Sequence, residues 1–123
     1  MRRSGAPGGG TAAPPSVAVR RGEIWLAVLD PTIGAEIQKT RSCVVVSPPE
    51  MQDFLRTATV APMTTGSHPA PYRIPLRFRG KDGLLLLDQM RTLDKRRLVH
   101  RLGVVAGATL RLTLAALREM FEE

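Results

Sequence analysis

From Gly22 onward, short apolar runs alternate with polar breaks, and the runs have strand length rather than helix length. "GEIWLAVLD" reads as a first strand. "SCVVVS" is short and rich in β-branched residues, the pattern of a buried central strand. "PPEMQDFL" opens on two prolines, which suit a helix N-terminus, and predicts a turn or two of helix. "RTATVAPMT" alternates threonine with apolar residues and is expected to be a strand ending at Pro62. "APYRIPLRF" also alternates, and Pro71 and Pro75 assign it to a sheet edge. After a turn expected at "GKDG" comes the apolar run "GLLLLDQMR", and "RLVHRLGVV" supplies the last strand. Only the final segment changes period. In "GATLRLTLAALREMFEE", Leu110, Leu114, Leu117 and Phe121 recur at helical spacing, which predicts an amphipathic helix lying on the sheet.

Strands first and a helix last, without alternating crossover helices, give an α+β class. The expected architecture is a mostly antiparallel β-barrel or sheet with a covering helix. Its 123 residues suit one domain, large enough to bury a core without staples. Residues 1–19, "MRRSGAPGGGTAAPPSVAV", are Gly/Pro/Ala-rich and without period, so they are expected to be a disordered tail preceding a folded domain over 20–123. The tail has Arg2 and Arg3 but no apolar core of a secretory signal. No apolar run approaches membrane-spanning length.

Composition narrows the chemistry. Cys43 is the single cysteine and sits inside an apolar strand, so a small buried residue is expected rather than a disulfide or a reactive thiol. His68 and His100 are far apart in sequence and there is no C-x-x-C pair, so no metal site is expected. Net charge is +7, from 18 Lys+Arg against 11 Asp+Glu, which points to a polyanionic partner. Aromatic residues are only 4% of the chain, too few for a base-stacking platform, so charge and backbone groups would have to hold any nucleic acid.

One connection is longer and more charged than a turn requires. "LDPTIGAEIQKTRSCVVVS" carries Glu36, Lys39 and Arg41 around Gly34, with the arginine at the lip of the next strand. Together with "RGEIWLAVLDPTIGAE", "VAPMTT" and "GLLLLDQMRTLDKRRLVHRLG", this stretch closely resembles the MazF/PemK toxins of type II toxin–antitoxin systems. The likeness runs over about residues 20–121, its blocks in matching order and spacing. It implies an SH3-like barrel with a C-terminal helix (the MazF/PemK/CcdB-like toxin fold), working as a cytoplasmic homodimer. The implied activity is sequence-specific, metal-independent cleavage of single-stranded RNA without a cofactor. The implied regulator is an antitoxin whose acidic, disordered tail covers the active site. Carried over by position, the family's catalytic arginine falls on Arg41, its catalytic threonine on Thr64, and its loop glutamate on Glu36. Thr65, Lys39, Asp88, Gln89 and Arg91 are the accompanying RNA-binding candidates. The chain departs from the family at Ile37, Ser42 and Gly66, where Gln, Pro and Gln or Ser are common.

The residues suit this chemistry on their own terms. RNA is cut when its 2′-OH attacks the adjacent phosphorus, and fixed donors can supply the charge stabilisation that a metal would otherwise give. An arginine fork matches phosphate oxygens and stays charged, while a threonine hydroxyl adds one donor. With a pKa above about 12, arginine is poorly suited to act as a general base. Glu36 or a water is therefore the expected proton acceptor, and Arg41 the stabiliser of charge. Each residue also has a plainer role: Arg41 a solvated strand-end cation, Thr64 a turn residue bonding its own backbone, Glu36 a loop charge, Asp88 and Gln89 turn caps. The run Arg91, Lys95, Arg96, Arg97 is either a solvated face, a phosphate track or an antitoxin-binding rim. Two other functions compete with a nuclease: a non-enzymatic toxin of similar fold that poisons a protein target such as gyrase, and an idle nucleic-acid-binding regulator.

Overall fold

In the computed structural model, which describes residues 18–29 and 39–123, side-chain alternation sorts the apolar residues onto two faces of one sheet. The strands are β1 (Glu23–Val28), β2 (Thr40–Val45), β3 (Thr57–Thr64), β4 (Arg73–Phe78), β5 (Lys81–Leu86), β6 (Arg91–Asp94) and β7 (Leu98–Val104). A short helix α1 (Pro49–Phe54) lies between β2 and β3, and helix α2 (Gly107–Met120) closes the chain. The strand order is β4-β5-β3-β2-β1-β7, with β6 pairing β3, and every pairing is antiparallel. Trp25, Cys43, Val45, Val60 and Leu98 form one core cluster. Ile24, Val44, Ala61, Ile74 and Leu85 form the other. The sheet curls about this second cluster until its edges meet. Arg79, just past β4, donates to the Leu102 carbonyl of β7 (3.5 Å), and a Cβ on Gly103 would lie 3.5 Å from the Phe78 ring. The result is a half-barrel with a C-terminal helix, as the sequence predicts.

The proline-bearing strands show how the pattern is built. β4 is an edge strand, and there Pro75 is exposed and disturbs no interior ladder. β3, expected to stop at Pro62, runs on to Thr64. Val46 N–H donates to Thr59 O (2.9 Å), and alternation from that pair puts Pro62, opposite Cys43, at a position without hydrogen bonds toward β2. Its nitrogen therefore faces the other flank, where β6 pairs residues 57–60 and β5 pairs residues 63–64. The 3-10 turn Leu87–Gln89 fills the gap between those two strands, so a missing N–H costs no ladder bond there.

Three other expectations shift. The turn before β5 is Arg79-Gly80 rather than "GKDG", since Lys81 already pairs with Phe78. Both turn residues have positive φ (53° and 78°), the signature of a type I′ hairpin. "RTLD", read only as part of a basic run, is strand β6. On α2, Leu110, Ala116, Leu117 and Met120 pack against the second cluster, whereas Phe121 lies past the helix end, 72% exposed. The helix's one buried residue is Thr113, whose hydroxyl is satisfied by the Thr109 carbonyl at 2.8 Å.

Two buried polar clusters tie the frame. Glu23, 8% exposed, accepts from Arg20 N (2.8 Å), Trp25 Nε1 (3.1 Å) and Arg101 Nε (2.7 Å). Burial pushes this carboxyl up, but the three donors outweigh it and hold its pKa below the usual value. Ser47 Oγ donates to Gln52 Oε1 (2.7 Å) and accepts from Thr59 N (2.9 Å), which fastens α1 to β3. The core also takes in Val19, 3% exposed, at the end of the segment expected to be a tail; residues 1–17 lie outside the described residues.

Candidate active site at the mouth of the half-barrel

β2 and β3 carry the two residues singled out for catalysis toward the same end of the sheet. Their register pairs Val45 with Val60, Val44 with Ala61 and Cys43 with Pro62. The pairing ends there, and Arg41 of β2 and Thr64 of β3 each lie two residues beyond its last pair, toward the same end of the sheet. Arg41 lies inside β2, opposite Ala27 of β1, rather than on the strand's lip. Arg41, Thr64 and Thr65 all line a cavity of about 540 Å³, within the usual range of small-ligand sites. Met63, Leu76, Phe78 and Leu102 form its apolar wall.

The site is electrostatically one-sided. Arg41, Arg79 and Lys81 line the cavity, and among the described residues no acidic side chain does. The side chain of Arg41 makes no hydrogen bond or ion pair with any described residue. Thr64 does behave as a turn residue, since its Oγ1 accepts from Gly66 N–H (3.2 Å). A hydroxyl has one proton to donate and two lone pairs, so this bond leaves the Thr64 O–H free to donate elsewhere. Gly83 permits the geometry: a Cβ there would sit 2.8 Å from the Thr64 carbonyl oxygen, closer than side chains tolerate. β5 can approach β3 at this level only with glycine at that position.

The chemistry of the neighbouring thiol is closed off. Cys43 is fully buried, and burial pushes its pKa up to about 12 against the pull of Arg41 and Arg91. Among the described residues no cluster of three or more His, Cys, Asp or Glu is placed to hold a metal ion, and no helix is long and apolar enough to cross a membrane.

A family model for the PemK-like, MazF-like toxin of type II toxin–antitoxin systems matches residues 20–121. The chain belongs to that family. It is 38% identical over 81 residues to Endoribonuclease PemK of Escherichia coli, covering 62% of this chain and 61% of that protein's length. It is 34% identical over 90 residues to Endoribonuclease MazF of Staphylococcus epidermidis, covering 68% of this chain and 75% of that one. In fold it is similar to an endoribonuclease solved in complex with its cognate antitoxin from a Mycobacterial species. That likeness has a TM-score of 0.68 and 21% identity, covering 83% of this chain and 93% of the other.

Not every candidate for this MazF/PemK-family site converges on the cavity. Glu36, with Gly34 and Ile37, lies outside the described residues. Lys39 is exposed just before β2, and its carbonyl accepts from Leu29 N (3.1 Å). Asp88 is held by Arg73 through two bonds (3.1 and 3.0 Å), which keep its carboxyl below the usual carboxylate range; neither it nor Gln89 lines the cavity. The basic run divides. Arg96 grips Asp94 (3.1 Å), Lys95 Nζ donates to Gln52 O, and Arg97 donates to Val28 O (3.3 Å). Arg91 is exposed on β6, and its side chain has no hydrogen-bond or ion-pair partner among the described residues. His68 lies between β3 and β4, and His100 on β7 pairs with Leu26. Sequence reasoning missed Arg79, Lys81 and Gly83. Their signal was the Arg-Gly pair between two alternating runs, read as part of a broader turn.

Proposed function

We propose that this chain is the toxin of a type II toxin–antitoxin pair and acts as a sequence-specific, metal-independent endoribonuclease on single-stranded mRNA, inhibiting translation in the cytoplasm. The observation that supports it most is Arg41 and Thr64 lining one cavity whose charged described residues are all cations. In this reading the Arg41 fork and the Thr64 O–H grip the non-bridging oxygens of the scissile phosphate as charge builds there. The 2′ oxygen bonds to phosphorus and the P–O5′ bond breaks, leaving a 2′,3′-cyclic phosphate and a 5′-OH. The 2′ proton passes to Glu36 or a water. Arg41 donates a hydrogen bond to the departing 5′ oxygen, which takes its proton from solvent. The same cationic mouth suits an acidic antitoxin segment, and the relative solved with its cognate antitoxin supports a partner of that kind. A homodimer completes the proposal by likeness to the family.

The test is incubation of purified protein with single-stranded RNA in excess EDTA, followed by analysis of the fragment ends. Cyclic phosphate ends are expected, formed far more slowly by Arg41→Ala and more slowly by Thr64→Ala. A 2′-deoxy nucleotide at the cut should block the reaction, and continued cleavage there would overturn 2′-OH attack.

A further inference from the structure

The type I′ hairpin between β4 and β5 carries an arginine where the backbone favours another residue. Arg79 sits at φ 53°, in the left-handed region, and Asn-Gly or Gly-Gly is the preferred pair for this turn. A side chain held against the preference of its backbone is a marker of function. Arg79 is also held in place: its guanidinium lies 5.0 Å from the Phe78 ring centroid and donates to Leu102 O at 3.5 Å. Those two contacts leave most of its five N–H donors uncommitted. The side chain of Lys81, two residues on, makes no hydrogen bond or ion pair with any described residue. Arg79 and Lys81 both line the cavity that Arg41 and Thr64 line. Arg77 on the same hairpin differs, being exposed, paired with Asp82 at 2.8 Å and absent from the cavity.

We propose that the hairpin tip is a second anion subsite, where Arg79 and Lys81 hold the phosphate of a nucleotide neighbouring the one that is cut. The inference rests on the nuclease reading for the identity of its ligand, single-stranded RNA. Cations from two separate parts of one cavity, the β2 strand and the β4–β5 hairpin, fix a flexible backbone at two points, so the scissile phosphate is presented to Arg41 in one orientation. The apolar wall between them offers a surface for the intervening sugar or base.

The test uses the full chain and a mixed-sequence oligoribonucleotide made uncleavable by 2′-O-methylation, with binding read by fluorescence anisotropy across a range of salt. Arg79→Asn supplies the residue this turn prefers, so the hairpin is kept while the charge is removed. It should weaken binding about 3- to 10-fold at low salt and make the log–log salt dependence shallower by roughly 0.7, the value for one lost single-strand phosphate contact. Its Tm should equal or exceed that of the unmodified protein. Lys81→Gln should also flatten the salt dependence, and Arg77→Gln should leave it unchanged. An unaltered slope in both Arg79→Asn and Lys81→Gln, or an equal loss in Arg77→Gln, would overturn the subsite. A lower Tm for Arg79→Asn would overturn the claim that arginine is kept against the turn's preference. If the unmodified protein cuts no RNA yet the slopes still flatten, the nuclease reading falls and the subsite stands. Cleavage with unaltered slopes gives the reverse.

Discussion

Strand β1 is flanked by two arginines with opposite fates. On one side Arg101 of β7 lies opposite Trp25 and closes on Glu23 at 2.7 Å, inside a cluster where every Glu23 oxygen has a donor. On the other side Arg41 of β2 lies opposite Ala27 and has no polar partner among the described residues. The two cations share a sheet and a neighbouring strand, yet one is committed to the frame and the other lines the cavity with no polar partner among the described residues. Away from the mouth, several cations are instead tied to carboxylates: Arg73 to Asp88, Arg77 to Asp82, Arg96 to Asp94. Repulsion among unpaired cations is a cost that an incoming phosphate removes.

Breaking the committed side should cost the most stability. Glu23→Gln removes the charge that three donors address and is expected to destabilise the fold by about 2–3 kcal/mol, measured by chemical denaturation, with RNA cleavage retained by the folded fraction. The same residue sets an acid limb. Its folded pKa lies below the ordinary 4.5, so its contribution is complete above that value and is lost as pH falls through the folded pKa. Stability should therefore decline below about pH 4.5, and Glu23→Gln should flatten that decline. Gly83→Ala probes the bridge between frame and site, because its Cβ would press on the Thr64 carbonyl oxygen. It is expected to cost about 1–3 kcal/mol and to lower cleavage beyond what the unfolded fraction explains. Thr64→Val keeps the shape and removes one donor, so cleavage should fall about tenfold with little change in Tm.

What was legible in the sequence follows from what is local. The β-branched run at Cys43–Val46, the edge prolines and the period of α2 each declare their element by short-range physics, and all three stand in the structure. Pro62 misled because its tolerance depends on a gap in the opposite flank, which is a fact about β5 and β6 rather than about β3. Strand β6 hid behind its charges: in "RTLD" only Leu93 is buried, so period-two alternation had almost nothing to show. Phe121 fits the helical period on paper, but the helix ends at Met120 and leaves it in solvent. At the site, family likeness singled out Arg41 and Thr64, and the structure places both in the lining of one cavity. Gly83 reaches that cavity because β5 pairs β3, and Arg79 lies there where the end of β4 meets β7, long-range contacts that no window of the sequence contains.

The account turns on Arg41 serving the ligand and not the frame, and a single variant tests this directly. Arg41→Ala should be measured for both thermal unfolding and single-turnover cleavage of RNA. The expected result is a Tm unchanged or slightly raised, with stability within about 0.5 kcal/mol of the unmodified protein, and cleavage reduced about 100- to 1,000-fold. A clear fall in Tm with cleavage retained would contradict it and return Arg41 to the frame beside Arg101.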